Sequence, residues 1–88
     1  MKTAFRESFG RDLRSITDKR LLERVKGTIE TVEAADSLAL LPNVKSLKGS
    51  KNYFRIRVGD YRIGLALHED TVIFVRFLNR KDIYRYFP

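Results

Sequence analysis

Two alternating runs meet across Gly59-Asp60. Tyr53 to Val58 and Tyr61 to Leu67 carry apolar side chains at every second position, and a two-residue connection with glycine first suits a tight β-hairpin. The register then follows by counting. Val58 pairs with Tyr61, Arg57 with Arg62, Ile56 with Ile63, Arg55 with Gly64, and Phe54 with Leu65. Phe54, Ile56, Val58, Tyr61, Ile63 and Leu65 form an apolar face, whereas Tyr53, Arg55, Arg57 and Arg62 share the opposite one.

The apolar face requires a cover, and the first half of the chain supplies it. Phe9, Leu13 and Ile16 fall on one face of a short helix starting near Ser8, a candidate N-cap. Leu22, Val25, Ile29 and Val32 define a second amphipathic helix from Asp18 to Ala35, and a connection of about two residues would make the pair a helical hairpin. Lys2 to Phe5 fits a short opening strand, Ser37 to Leu41 a helical turn, and Val44 to Leu47 a further strand. Thr71 to Leu78 is a third long strand, followed by a turn or tail from Asn79 to Pro88. The expected fold is α+β: one domain, residues 1–88, with an N-terminal helical hairpin packed on one face of a small, mainly antiparallel twisted β-sheet. Phe9, Phe54 and either Phe74 or Phe77 belong to its core.

Charge is divided unevenly along the chain. Residues 1–36 carry eight basic and seven acidic side chains, while residues 37–88 carry ten basic and four acidic, so most of the net +7 sits on the hairpin half. An anionic partner, nucleic acid, is what this predicts, because no basic amphipathic helix suited to a membrane surface is present. Without cysteine and with a single histidine, the chain lacks thiolate or histidine-based metal sites, and no cofactor is expected. The longest apolar run, Leu38 to Leu41, is far too short to span a membrane, and a cytoplasmic location is the expectation.

Folding alone would not select Arg57 opposite Arg62 with Arg55 beside them, since like charges opposed in a sheet are destabilising. Guanidiniums bind phosphate bidentately, and a phosphodiester would relieve the repulsion. Gly64 beside Arg55 leaves a hollow where a ligand could approach. Lys45, Lys48 and Lys51 are either phosphate-steering or solubilising charges. A three-residue His68-Glu69-Asp70 loop would pair Arg76 with Arg62 and turn Ile73, Val75 and Phe77 inward; it is preferred to a two-residue loop because it leaves no unpaired charge in the core. His68 lies at the far end of its strand and is read as a turn residue. Tyr53, Tyr84 and Tyr86 belong to the basic region, to stack bases or to serve a proton, and for Tyr84 nearby arginines would favour the phenolate and service as a base.

In order, Leu47-Lys48-Gly49, Tyr53-Phe54-Arg55-Ile56-Arg57, Asp60-Tyr61-Arg62-Ile63, Val72-Ile73-Phe74-Val75 and Arg80-Lys81-Asp82-Ile83-Tyr84 resemble the RelE/ParE superfamily of type II toxin-antitoxin toxins. The resemblance spans nearly the whole chain. It implies a toxin whose sheet cradles messenger RNA in the ribosomal A site, and a cognate antitoxin that wraps it in a hetero-oligomer. RelE-like members cleave by driving the ribose 2′-hydroxyl onto the adjacent phosphate, without a metal. Carried over by motif, Arg62 would stabilise the phosphorane, Arg55 and Arg57 occupy a basic pair that is often lysine, Arg80 is an acid or clamp, and Tyr84 is the C-terminal tyrosine. Tyr53, Arg76, Lys81 and Arg85, with the three upstream lysines, would contact RNA. Arginine at 55 and 57 is a poor general base, and Asn79 stands where many relatives carry histidine. Two other roles follow from the same superfamily and charge: a ParE-like inhibitor of DNA gyrase, and a nucleic-acid-binding module without catalysis.

Overall fold

The computed structural model describes residues 1–88. Its order is β1 (Lys2–Phe5), α1 (Glu7–Arg14), α2 (Lys19–Ala34), a 3₁₀ turn (Leu38–Leu40), β2 (Val44–Ser46), β3 (Tyr53–Val58), β4 (Tyr61–His68), β5 (Thr71–Asn79) and α3 (Ile83–Tyr86). The strands form one sheet in the order β1-β5-β4-β3-β2, antiparallel except for β1 against β5. This is the expected α+β architecture.

The central hairpin takes the register counted from its turn, from Val58 opposite Tyr61 to Phe54 opposite Leu65. Gly59 adopts a φ of 58° and Asp60 does not share that region, which is why the first turn position is glycine. One face of the sheet packs Ile56, Val58, Ile63, Leu65, Val72, Phe74 and Phe77 against Phe9 of α1 and Val25 and Val32 of α2. Asp18 caps α2, its carboxylate accepting from the backbone N–H groups of Arg20 and Leu21. Four residues, Ser15 to Asp18, join the two helices rather than two.

The β4–β5 turn departs from expectation. His68 pairs with Thr71, leaving a two-residue Glu69-Asp70 turn in which Glu69 takes a φ of 54°. That shorter loop sends Val72 and Phe74 inward instead of Ile73 and Val75. A bulge opposite Gly64/Leu65 then adds one residue to β5 and restores parity, so Phe77 points inward and Arg76 lies opposite Gly64, not Arg62.

Ser8 is also reassigned. Helix α1 starts at Glu7 with Arg6 as its uncapped N-cap, and the Ser8 hydroxyl donates to the Val75 carbonyl at 2.5 Å. One turn on, Asp12 accepts from Phe77 N–H at 2.9 Å and from Arg76 through Nε at 2.7 Å and one Nη at 3.1 Å. Two polar residues spaced i, i+4 thus close the edge of β5 beyond the end of β1. This pairing raises the Arg76 pKa, the hydrogen bond to Asp12 outweighing burial.

Asp12→Ala would leave the Phe77 N–H and the half-buried Arg76 unpartnered, and should lower unfolding free energy by about 2 kcal/mol in urea titration. Glu69→Gly removes the side chain from a left-handed position and should raise it by about 1 kcal/mol in the same assay.

Candidate nucleic-acid interface

The second face of the sheet carries the basic residues. Lys45, Arg55, Gly64 and Arg76 stand in one row across β2, β3, β4 and β5, and Arg57 opposite Arg62 forms the next row toward the turn. Arg62 is half-buried there. Burial lowers its pKa, as do the charges of Arg55 and Arg57 and, more weakly, Arg80, while Tyr84 acts in the opposite sense. The structure therefore gathers Arg55, Arg57, Arg62, Arg80 and Tyr84 into one electrostatic cluster, although Arg80 and Tyr84 follow Arg62 by 18 and 22 positions.

Two backbone contacts explain how the C-terminal segment reaches the hairpin. The Arg80 N–H donates to the Asp60 carbonyl at 2.8 Å, tying the end of β5 to the turn. Asn79 then accepts from Asp82 N–H through its carbonyl and from Lys81 N–H through its side chain, reversing the chain into α3. Asn79 is thus a turn-former.

Arg62 and Arg76 differ in what remains of their guanidiniums. In Arg62, Nη1 donates to the carbonyls of Gly59 and Tyr61, both at 2.9 Å, and Nε and the other Nη make no hydrogen bond within the chain. One end anchors the group and a two-nitrogen edge stays open, the arrangement that grips a phosphate bidentately. In Arg76 the corresponding edge is occupied by Asp12. No carboxylate lies within 4.0 Å of Arg55, Arg57, Arg62 or Arg80; the one ion pair made by a lysine or arginine is Arg76 with Asp12.

The other residues read from the sequence are dispersed around this cluster. Lys48 and Lys51 are exposed in the β2–β3 loop, Lys81 before α3 and Arg85 on it. Tyr84 and Tyr86 are exposed on α3, and Tyr53 meets the Phe87 ring edge-on at 5.7 Å. His68 is solvent-exposed at the sheet's opposite end. The expected hollow at Gly64 is filled: Phe87 lies directly on it. Sequence reading missed Phe87 and Asp12, although Ile83 and Phe87 at i, i+4 already mark a buried side on the tail.

Comparison with known proteins agrees with this fold. The family described as ParE toxin of type II toxin-antitoxin system, parDE, matches residues 4–84. Toxin RelE3 of Methanocaldococcus jannaschii is 45% identical over 89 residues, covering 100% of both chains. A chain in the crystal structure of the RelB-RelE antitoxin-toxin complex from Methanococcus jannaschii superposes with a TM-score of 0.80 at 44% identity, covering 97% of this chain and 99% of that one. An archaeal RelE-RelB complex from Pyrococcus horikoshii OT3 gives a TM-score of 0.73 at 18% identity, over 90% of this chain and 93% of that chain, and shares the fold.

If the four unpaired arginines each meet one phosphate, affinity for single-stranded RNA should fall with salt at a log–log slope of about −3. Arg62→Ala should make that slope shallower by about 0.7, as filter binding across a salt series would measure.

Proposed function

Because the chain belongs to the RelE/ParE superfamily of type II toxin-antitoxin toxins, we propose that it arrests translation in the cytoplasm as a metal-independent endoribonuclease cleaving messenger RNA in the ribosomal A site. The observation that carries this reading is the open edge of Arg62 among three further cations without carboxylate partners. A site of this kind favours charge that develops on phosphorus oxygens more than charge already present.

The step is an in-line displacement. The ribose 2′-oxygen loses its proton and bonds to the adjacent phosphorus, the bond to the 5′-oxygen breaks, and the leaving oxygen is protonated, giving a 2′,3′-cyclic phosphate and a 5′-hydroxyl. Arg62 holds the two non-bridging oxygens, and Arg55 and Arg57 offset the charge of the phosphorane. Arg80 supports the leaving side. With arginine at 55 and 57 unable to act as a base near neutral pH, Tyr84 is the residue that exchanges the proton. Lys45, Lys48 and Lys51 on one flank and Lys81 and Arg85 on the other guide the strand.

A cognate antitoxin is the second partner. Both archaeal relatives described above were crystallised as antitoxin-toxin complexes, and the unpaired cationic face calls for an acidic contact segment. The match to the ParE family keeps gyrase inhibition as the second reading.

Induction of the wild type should arrest growth and leave messages broken within codons, and a single 2′-deoxy substitution at a break site should abolish cleavage there. A chelator should leave the rate unchanged. Arg62→Ala should lower cleavage by about 10²–10³-fold and remove growth arrest while the protein stays folded by circular dichroism. Intact messages accompanied by DNA damage would replace this reading with gyrase inhibition.

A further inference from the structure

Gly64 and Phe87 meet face to face. An ideal Cβ built on Gly64 would lie 2.8 Å from Cγ and Cδ2 of Phe87 and 2.9 Å from Cδ1, so no side chain can occupy that position while the ring is there. Gly64 does not adopt a left-handed φ, and its backbone conformation is open to any residue. Glycine is therefore required here by space alone. Phe87 is 3% exposed one residue from the end of the chain, and with Ile83, Leu47, Val75 and Leu78 it forms a small apolar cluster on the basic face.

Helix α3 has four residues and could not hold its shape alone. It is fixed at its start by the Arg80 N–H on the Asp60 carbonyl and at its end by Phe87 on Gly64. Tyr84 stands between these anchors, 61% exposed, with its own side chain making no hydrogen bond. The height of α3 above the sheet thus depends on how deeply Phe87 sinks, and that depth is set by the missing side chain of Gly64.

Resting on the nuclease reading above, we infer that Gly64 and Phe87 are positioning residues: the glycine is a seat for the phenyl ring, and the seated ring holds Tyr84 against the Arg62 site. The strand opposite Gly64 presents Arg55, so the seat and the phosphate site share the same sheet row and its neighbour, and a shift of α3 moves Tyr84 without moving the guanidiniums. Loss of the seat should therefore separate proton transfer from RNA binding.

The test is a double-mutant cycle on purified full chain acting on ribosomes programmed with a synthetic message. Tyr84→Phe should slow single-turnover cleavage by about 10²-fold in the wild-type background, the scale of a lost general base. In Gly64→Ala it should change the rate by less than about 3-fold, because Tyr84 is already displaced, while RNA affinity stays within about 2-fold. Phe87→Ala introduces no clash and should reproduce this pattern. Hydrogen exchange should show faster exchange at the Phe87 N–H, bonded to Ile83 O at 2.9 Å, in Gly64→Ala with the β3–β4 amides still protected. A full Tyr84→Phe effect in both Gly64→Ala and Phe87→Ala would overturn the positioning role and leave the nuclease reading standing. A wild type that cleaves no message, or a silent Tyr84→Phe, would overturn the reading of the site and the positioning role with it.

Discussion

A tight turn that admits only one register forces Arg57 and Arg62 directly opposite each other. Everything chemical on this face follows from that opposition. Arg55 lies two residues further along the same strand face, and Arg80 is drawn in by its backbone contact with the turn. Burial, with the charges of Arg55 and Arg57 adding to it, pushes the Arg62 pKa down. The strain is tolerated because the other face of the same hairpin packs Ile56, Val58, Ile63 and Leu65 into the core. Each is worth on the order of 2 kcal/mol, against up to about 1 kcal/mol for an opposed pair of like charges. Any partner that neutralised the opposed pair would return its cost as added stability, which links folding to binding.

The sheet is covered twice, unequally. Helices α1 and α2 bury one face with a continuous core, whereas the other carries a small apolar cluster of Leu47, Ile83 and Phe87. The basic row begins at the edge of that cluster. A phosphate approaching Arg62 therefore meets a surface with apolar packing on one side, where water is scarcer and charge–charge interactions are stronger than at an open strand. The same packing orders a C-terminal segment that has too few residues to order itself.

Most of this is legible in the sequence, and each departure has a physical reason. The hairpin register could be counted because Gly59 announces its turn. The next turn carries no such mark, because Glu69 occupies a left-handed position that usually selects glycine or asparagine, and only the longer loop keeps Arg76 out of the core when no bulge is foreseen. The bulge at Val75 was equally silent, and it moved Arg76 from Arg62 to Gly64. Gly64 was rightly read as a close approach, but the approaching group is Phe87 of the same chain rather than a ligand. Ser8 looked like a cap because serine favours that position, yet its hydroxyl answers an exposed carbonyl on β5. For Ser8 and Gly64 the deciding contact joins residues far apart in the chain, which no spacing rule reports.

Arg62 and Arg76 differ in what their guanidiniums meet. Both are half-buried, both project from neighbouring strands onto the same side of the sheet, and both use Nη groups to reach oxygen. For Arg76 the acceptor is a carboxylate, supplied by α1 as that helix closes the free edge of β5. For Arg62 the acceptors are neutral turn carbonyls, which orient the guanidinium without neutralising it. Orientation without neutralisation is what a site for a transient negative charge requires, because a fixed anion would compete with the one that forms during reaction.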